Sequence, residues 1–289
     1  MRKLSARLLC LLVVVSIAAF AQDESTPPPL KPVPELDDAQ MEQFLKTSQI
    51  TGRKKLSEGI TGAERATLTD GTLVHDAQIQ CVDVFKPVWK GSEGTAEKNF
   101  RDSWKFNVAA FRIGRIIGLR NIPMSVEREV DGKPCSITWW VDNVWMDEAG
   151  RRAKGIKPPA SDKWINQLNA VRTFDQLIYN TDRNQGNLLI TPEWGLWMID
   201  HTRAFRTHPR LMTVEPLRRI DQQLLQSLRK LDRMTLVKEA GPWLRTEEVS
   251  AILIRRNLIV KFFESEIKTK GEESVLTGLP RKTPAVSVP

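Results

Sequence analysis

The sequence predicts an α+β fold in two lobes, a β-rich first half carrying one helix and a mainly helical second half. Two observations predict it. Between residues 54 and 87, short β-compatible runs alternate with the turn formers "GITG" and "TDG". From residue 162 onward the apolar residues fall at helical spacing, interrupted by one polar loop and a hairpin. Strands first and helices after is an α+β order. The 289 residues are 41% hydrophobic and 27% charged, with mean hydropathy −0.32. That is a globular composition with room for two small lobes. The expected divisions are a signal peptide over 1–21, a Pro-rich linker over 22–36, a first lobe over 37–143, a second over 144–270 and a flexible tail over 271–289.

The N-terminus has the pattern of an export signal. "MRKLSAR" carries three positive charges, "LLCLLVVVSIAAF" is an unbroken apolar run, and "AFAQ" supplies small residues for cleavage after Ala21. The run is short for a spanning helix, which needs ~20 apolar residues. The mature chain is therefore expected to be periplasmic or extracellular, with no membrane span. Loss of Arg2, Lys3 and Arg7 takes the formal net charge from +8 to +5. The remaining positive charges are dispersed and form no basic, aromatic-interleaved stripe, so nucleic acid is not expected as a partner. Cys81 and Cys135 remain after cleavage, and an oxidising compartment permits their pairing without the sequence requiring it. Neither lies at a zinc-ligand spacing, and His75, His201 and His208 are scattered.

Along the mature chain, "ELDDAQMEQFLKTSQI" is a short amphipathic helix with Asp37 or Asp38 placed to cap it. Three antiparallel strands are expected up to Lys86. After a polar loop, "NFRDSWKFNVAAFRIGRIIGL" reads as a helix ending at Gly118, with Phe100, Trp104, Val108 and Phe111 on one face. Two strands follow around "DGKP". In the second half, "DKWINQLNAVRTFDQLIYN" is a helix whose stripe is Trp164, Leu168, Val171, Phe174 and Ile178. Further helices are expected in "PLRRIDQQLLQSLRKL" and "TEEVSAILIRRNLIVKFFESEI", with periodicity lost after Lys270.

The stretch with chemistry in it is "NTDRNQGNLLITPEWGLWMIDHTRAF", residues 180–205. A loop rich in turn formers feeds two strand-length runs, "NLLI" and "LWMID", and Pro192 and Gly195 make the turn between them. Such a hairpin returns Asp200 to the side of Asn187, gathering hard oxygen side chains of the kind that bind Mg²⁺. Residues 182–193 also begin Asp-x-Asn and end in Glu like a calcium loop, but Gly186 and Asn187 reverse its required order.

The order Asp182, Asn187, Asp200 resembles the active site of the protein-kinase-like fold, in which a catalytic Asp and two metal-binding residues follow one another. "NTDRNQGN" and "MIDHTRAF" are similar to the "DRxxxN" and "IDhgxaF" motifs of phosphoinositide kinases, HipA-type kinases and secreted protein kinases. The resemblance implies a bilobal kinase-like fold that binds ATP with Mg²⁺ or Mn²⁺ and transfers the γ-phosphate to a hydroxyl acceptor. That acceptor is a protein, lipid, sugar or small molecule. It further implies Asp182 as the catalytic carboxylate, Asn187 and Asp200 as metal ligands, and Arg183 as a loop or phosphate contact. Lys86 is expected to contact the nucleotide phosphates, beneath a hairpin carrying Gly59, Thr61 and Gly62.

One position departs from the pattern. Asn107, in "WKFNVAAF", stands where the resemblance places a glutamate that pairs with the lysine. Glu97 and Asp102 precede it and take that role only if the helix begins earlier than expected. The competing reading is therefore a nucleotide-binding or regulatory module on the same fold with impaired catalysis.

Overall fold

The computed structural model describes residues 26–56, 62–90, 96–215 and 217–278. The expected signal peptide, Gly59 and Thr61 lie outside them. Helix α1 (Asp38–Thr47) opens with a reciprocal cap. Asp37 Oδ1 accepts from Gln40 N at 2.8 Å while the Gln40 side chain accepts from Asp37 N at 3.0 Å. Strands β1 (Gln49–Lys55), β2 (Glu64–Thr69) and β3 (Val74–Gln80) form consecutive antiparallel pairs.

The chain then makes a separate two-stranded hairpin, β4 (Asp83–Lys90) and β5 (Ala96–Ser103), before helix α2 (Lys105–Ile116). This corrects the sequence reading, which began the helix near Asn99. The physical reason is pairing. Phe100, Arg101, Asp102 and Ser103 lie opposite Lys86, Phe85, Val84 and Asp83, and the Trp104 amide donates to Val82 O at 2.7 Å. Phe100 thus leaves the helical stripe, while Val108 and Phe111 remain buried on α2.

Strands β6 (Ser125–Val130) and β7 (Lys133–Trp139) complete a five-stranded sheet in the order β1-β2-β3-β7-β6. One face buries Ala66, Leu68, Ala77, Ile79 and Ile137. By the alternation of strand side chains, the other face presents Arg65, Gln78 and Thr138 along one cross-strand row and Thr67 and Asp76 along the next. A disulfide joins Cys81, just past β3, to Cys135 in β7, beside the paired residues Gln80 and Ser136.

The second half begins with β8 (Met146–Asp147), α3 (Glu148–Ala153) and α4 (Asp162–Ile178), then β9 (Leu188–Ile190) and β10 (Leu196–Met198). These three strands form a small antiparallel sheet. After β11 (Ile220–Asp221) come α5 (Gln222–Lys230), α6 (Arg233–Ala240), the long α7 (Thr246–Lys270), α8 (Glu272–Val275) and β12 (Leu276–Thr277). The chain past Lys270 is not frayed up to Gly278. Strand β12 pairs in parallel with β11, and Val275 and Leu276 are buried. The Pro-rich segment is likewise docked where Lys31 N donates to Asn143 Oδ1 at 2.8 Å and Asn143 Nδ2 returns a bond to Lys31 O. The result is a mixed α+β molecule with a sheet-rich part and a helical part. No helix among the described residues is long and apolar enough to cross a membrane.

Candidate active site

Helix α4 ends at Tyr179, whose left-handed backbone (φ 51°) turns the chain back across the helix end. The next residues are tied to α4 itself. Asp175, nearly fully buried, receives the Arg183 guanidinium at 3.1 Å and the Asn180 amide at 3.2 Å. Arg183 also donates through Nη1 to the carbonyls of Asn187 (3.0 Å) and Ile199 (2.7 Å). One guanidinium therefore clamps the loop, both sides of the hairpin entrance and α4. Its donors face protein acceptors, so its place in the site is that of a brace.

The clamp fixes two candidate ligands. The β9–β10 register pairs Leu188 with Met198, and Ile199 N donates to Asn187 O at 3.1 Å, which sets Asn187 beside the residue before Asp200. The turn between the strands depends on Gly195, because a Cβ there would lie 2.8 Å from Thr191 Oγ1. Asn187 also donates through Nδ2 to Asp182 O at 3.3 Å, closing the loop on itself. Asp200 has a left-handed backbone (φ 51°), a strained conformation that Asp tolerates better than most residues. Its Oδ1 accepts from the Thr202 amide and hydroxyl at 3.3 and 3.0 Å.

Asp182 is half-buried at the mouth of this arrangement. Burial raises its pKa above the ordinary carboxylate range, with Asp200 and Asp102 adding repulsion and Arg203 and Arg206 opposing it. Of those neighbours, Arg203 and Arg206 carry no role in the sequence reading, and Asp102 carries one only as a partner for the lysine on an earlier helix. Asp102 reaches the site from strand β5 and not from a helix. It is 4% exposed, its Oδ2 receives Arg203 Nε at 3.1 Å, and its Oδ1 has no hydrogen-bond partner among the described residues. Arg203 Nη1 lies 3.6 Å from Asp182 Oδ2, so the guanidinium bridges the two carboxylates. The available signals were the position of Arg203 inside the "MIDHTRAF" motif and the clustering of polar residues in "NFRDS".

Asn107 is buried on α2 and points inward, as the helical face predicts. Its Oδ1 accepts from His201 N at 2.9 Å, and its Nδ2 donates to Ser136 Oγ at 3.3 Å. His201 is itself enclosed, and burial followed by the nearby Arg183 charge holds its imidazole neutral. A small cavity of about 10 Å³ lies between the polar face of the sheet and this turn, lined in part by Gln78, Asn107, Thr138 and Asp200. Lys86 is exposed on β4, directly across from Phe100. The Phe100 ring lies 5.7 Å from the Arg203 guanidinium and 5.1 Å from that of Arg206, and Lys86 does not line the cavity. Gly62 sits in the β1–β2 connection with φ 68°.

The loop and hairpin thus bring Asp182, Arg183, Asn187 and Asp200 together, and β5 adds Asp102. A scan against family models returns no match, and neither does a sequence search of curated proteins. Solved structures do match. A hydra Fam20 structure with sugar aligns with TM-score 0.63 at 15% identity, over 83% of this chain and 91% of that one. A Golgi casein kinase with Mn/ADP bound aligns with TM-score 0.60 at 16% identity, over 84% of this chain and 80% of that one. The same kinase in a second structure gives 0.58 at 15%. The fold is an atypical kinase-like fold.

Proposed function

We propose that this chain is an exported atypical kinase that transfers the ATP γ-phosphate to a hydroxyl-bearing acceptor, a protein, sugar, lipid or small molecule. The observation that carries the reading is the convergence of Asp182, Asn187 and Asp200 on one braced loop and hairpin, within the fold shared with kinases. The donor set suits a divalent cation. Asp102 Oδ1 is buried without a partner among the described residues, and Asp182 is crowded by two more carboxylates. Among the described residues no three Asp, Glu, His or Cys side chains form a ligand group by themselves. The metal would therefore be held by Asp200 and the Asn187 amide oxygen with water and nucleotide phosphates, which is how Mg²⁺ is usually bound.

ATP would supply the phosphoryl group, and Mg²⁺ or Mn²⁺ bound with it would neutralise charge on the phosphates. Asp182 orients the acceptor hydroxyl and takes its proton as the oxygen–phosphorus bond forms and the bond to the ADP leaving group breaks. Asp200 and Asn187 hold the metal, and Arg183 keeps both in register with Asp182. Lys86, on its exposed hairpin, and Gly62, in the β1–β2 connection, would contact the phosphate oxygens. Export is supported by the N-terminal charge and apolar pattern and by the Cys81–Cys135 disulfide, a bond that persists in oxidising compartments.

A second reading, a nucleotide-binding regulator without transfer, is favoured by Asn107, which bonds to His201 and Ser136 and carries no charge for a lysine. Incubation with γ-labelled ATP, Mn²⁺ and generic protein and glycan acceptors tests the choice. Label transfer that is lost in Asp182→Ala supports the kinase. Transfer unchanged in Asp182→Ala contradicts the assigned base, and nucleotide binding without any transfer favours the regulator.

A further inference from the structure

The loop fixes the backbone of Asp182. Its amide donates to Asn180 Oδ1 at 3.1 Å, and its carbonyl receives Asn184 N at 2.7 Å and Asn187 Nδ2 at 3.3 Å. The carboxylate is held differently. Among the described residues it accepts no hydrogen bond, and its one ion-pair partner is Arg203, whose Nη1 lies 3.6 Å from Oδ2. Arg203 is in turn fixed from strand β5. Ser103 N donates to Thr202 O at 2.9 Å and Arg206 Nη1 to Arg101 O at 2.6 Å, which zips residues 101–103 against residues 202–206. Between those two bonds the buried Asp102 receives Arg203 Nε on Oδ2 at 3.1 Å.

The geometry points to a chain of positioning residues behind the base: Asp102 holds the Arg203 guanidinium, and Arg203 aims the Asp182 carboxylate by drawing Oδ2 toward itself, which leaves Oδ1 to take the acceptor's proton. The inference rests on the kinase reading above and deepens it. Arg183 and Arg255 spend donors on backbone carbonyls and so brace the chain. Every polar partner of the Arg203 guanidinium among the described residues is instead a carboxylate. Its planar fork can face two acids at once, and a bond to a charged partner is directional enough to choose one orientation of a carboxylate. Loss of the guanidinium leaves the backbone bonds of the loop and of the turn in place. What it frees is the Asp182 side chain.

The experiment compares the full chain as wild type, Arg203→Ala, Asp102→Asn and the double variant. Each receives γ-labelled ATP and Mn²⁺, and label passed to water or to the generic protein and glycan acceptors is followed. Arg203→Ala is expected to lower kcat about a hundredfold, the effect of a reacting group held about 1 Å out of place. KM for ATP is expected to stay within about twofold, since the lost interaction is made with the base and not with the nucleotide. Asp102→Asn is expected to give a smaller fall. Because Asp102 acts through Arg203, the double variant is expected to be no slower than Arg203→Ala. Methylguanidinium, which can refill the vacated place, is expected to restore kcat in Arg203→Ala. Without nucleotide or metal it is expected to raise the Tm of Arg203→Ala, and not that of the wild type or the double variant. If Arg203→Ala fails to fold, Arg203→Lys decides, because an ammonium lacks the fork and its kcat is expected to fall at unchanged KM. Wild-type kcat in the Arg203 variants, a rise in KM as large as the fall in kcat, additive losses in the double variant, or no response of Arg203→Ala to methylguanidinium overturns the proposal. A wild type that passes label to neither water nor acceptor overturns the kinase reading itself, and this inference with it.

Discussion

Asn107 Oδ1 accepts a hydrogen bond from the backbone N–H of His201 at 2.9 Å, one residue beyond Asp200. The same side chain donates to Ser136 Oγ on β7, and Ser136 Oγ reaches the carbonyl of Gln80 on β3. Asn107 therefore ties the sheet to the turn that carries Asp200. An uncharged amide suits this place because it must accept on one side and donate on the other. A glutamate can only accept when ionised.

Asn107→Glu is accordingly expected to damage the protein and not to restore an ion pair. Asn107→Ala leaves the buried His201 amide without an acceptor and should lower stability by about 1–3 kcal/mol. Asn107→Glu adds a buried, unpaired charge and should be at least as harmful. Urea denaturation of the two variants checks this. A glutamate variant as stable as wild type and better at binding nucleotide would contradict the tie.

Arg183→Ala should act on folding before it acts on nucleotide affinity. Its partner Asp175 is nearly fully buried, and removing one member of a buried pair costs about 3–5 kcal/mol. Thermal melts without ligand are the measurement. A variant that melts normally but binds nucleotide poorly would reassign Arg183 as a phosphate contact.

The pH dependence of transfer should follow Asp182. Burial, then the charges of Asp200 and Asp102, raise its pKa, and a base must be ionised to accept a proton. The acid limb of kcat/KM is therefore expected above the ordinary carboxylate value of about 3.9. Asp102→Asn removes a negative neighbour and should move the limb down, whereas Arg203→Gln removes a positive one and should move it up. Limbs that coincide in all three proteins would argue that another group titrates.

Reduction of Cys81–Cys135 should destabilise the sheet-rich part. The bridge closes a separation of 54 residues, and a bond of this kind contributes about 2–4 kcal/mol. Melting with and without a thiol reductant, beside the Cys81→Ser/Cys135→Ser double variant, measures it. Equal melting temperatures would show that the β3–β7 pairing suffices alone.

The parts of this site that lie close together in the chain were legible in the sequence. Asp182, Asn187 and Asp200 are joined by a loop and a hairpin whose turn residues announce themselves, so their convergence follows from local geometry. Asn107 was placed inward correctly because α2 keeps its period there. Asp102 was legible only as a lysine partner on an earlier helix, not as a neighbour of Asp182. Residues 99–103 have apolar spacing compatible with a helix, and only pairing with β4 makes them a strand that delivers Asp102 to Asp182. The docking of residues 271–278 was hidden for a similar reason, since β12 is two residues long and depends on β11 far back in the chain.

The most direct measurement is a thermal-shift titration of the chain with ATP and Mn²⁺ or Mg²⁺, with Asp200→Ala beside it. A ligand that binds the folded state raises Tm by mass action. The account predicts a rise that needs both metal and nucleotide and that Asp200→Ala abolishes. No rise at millimolar ATP and metal, or one that Asp200→Ala leaves intact, would contradict it.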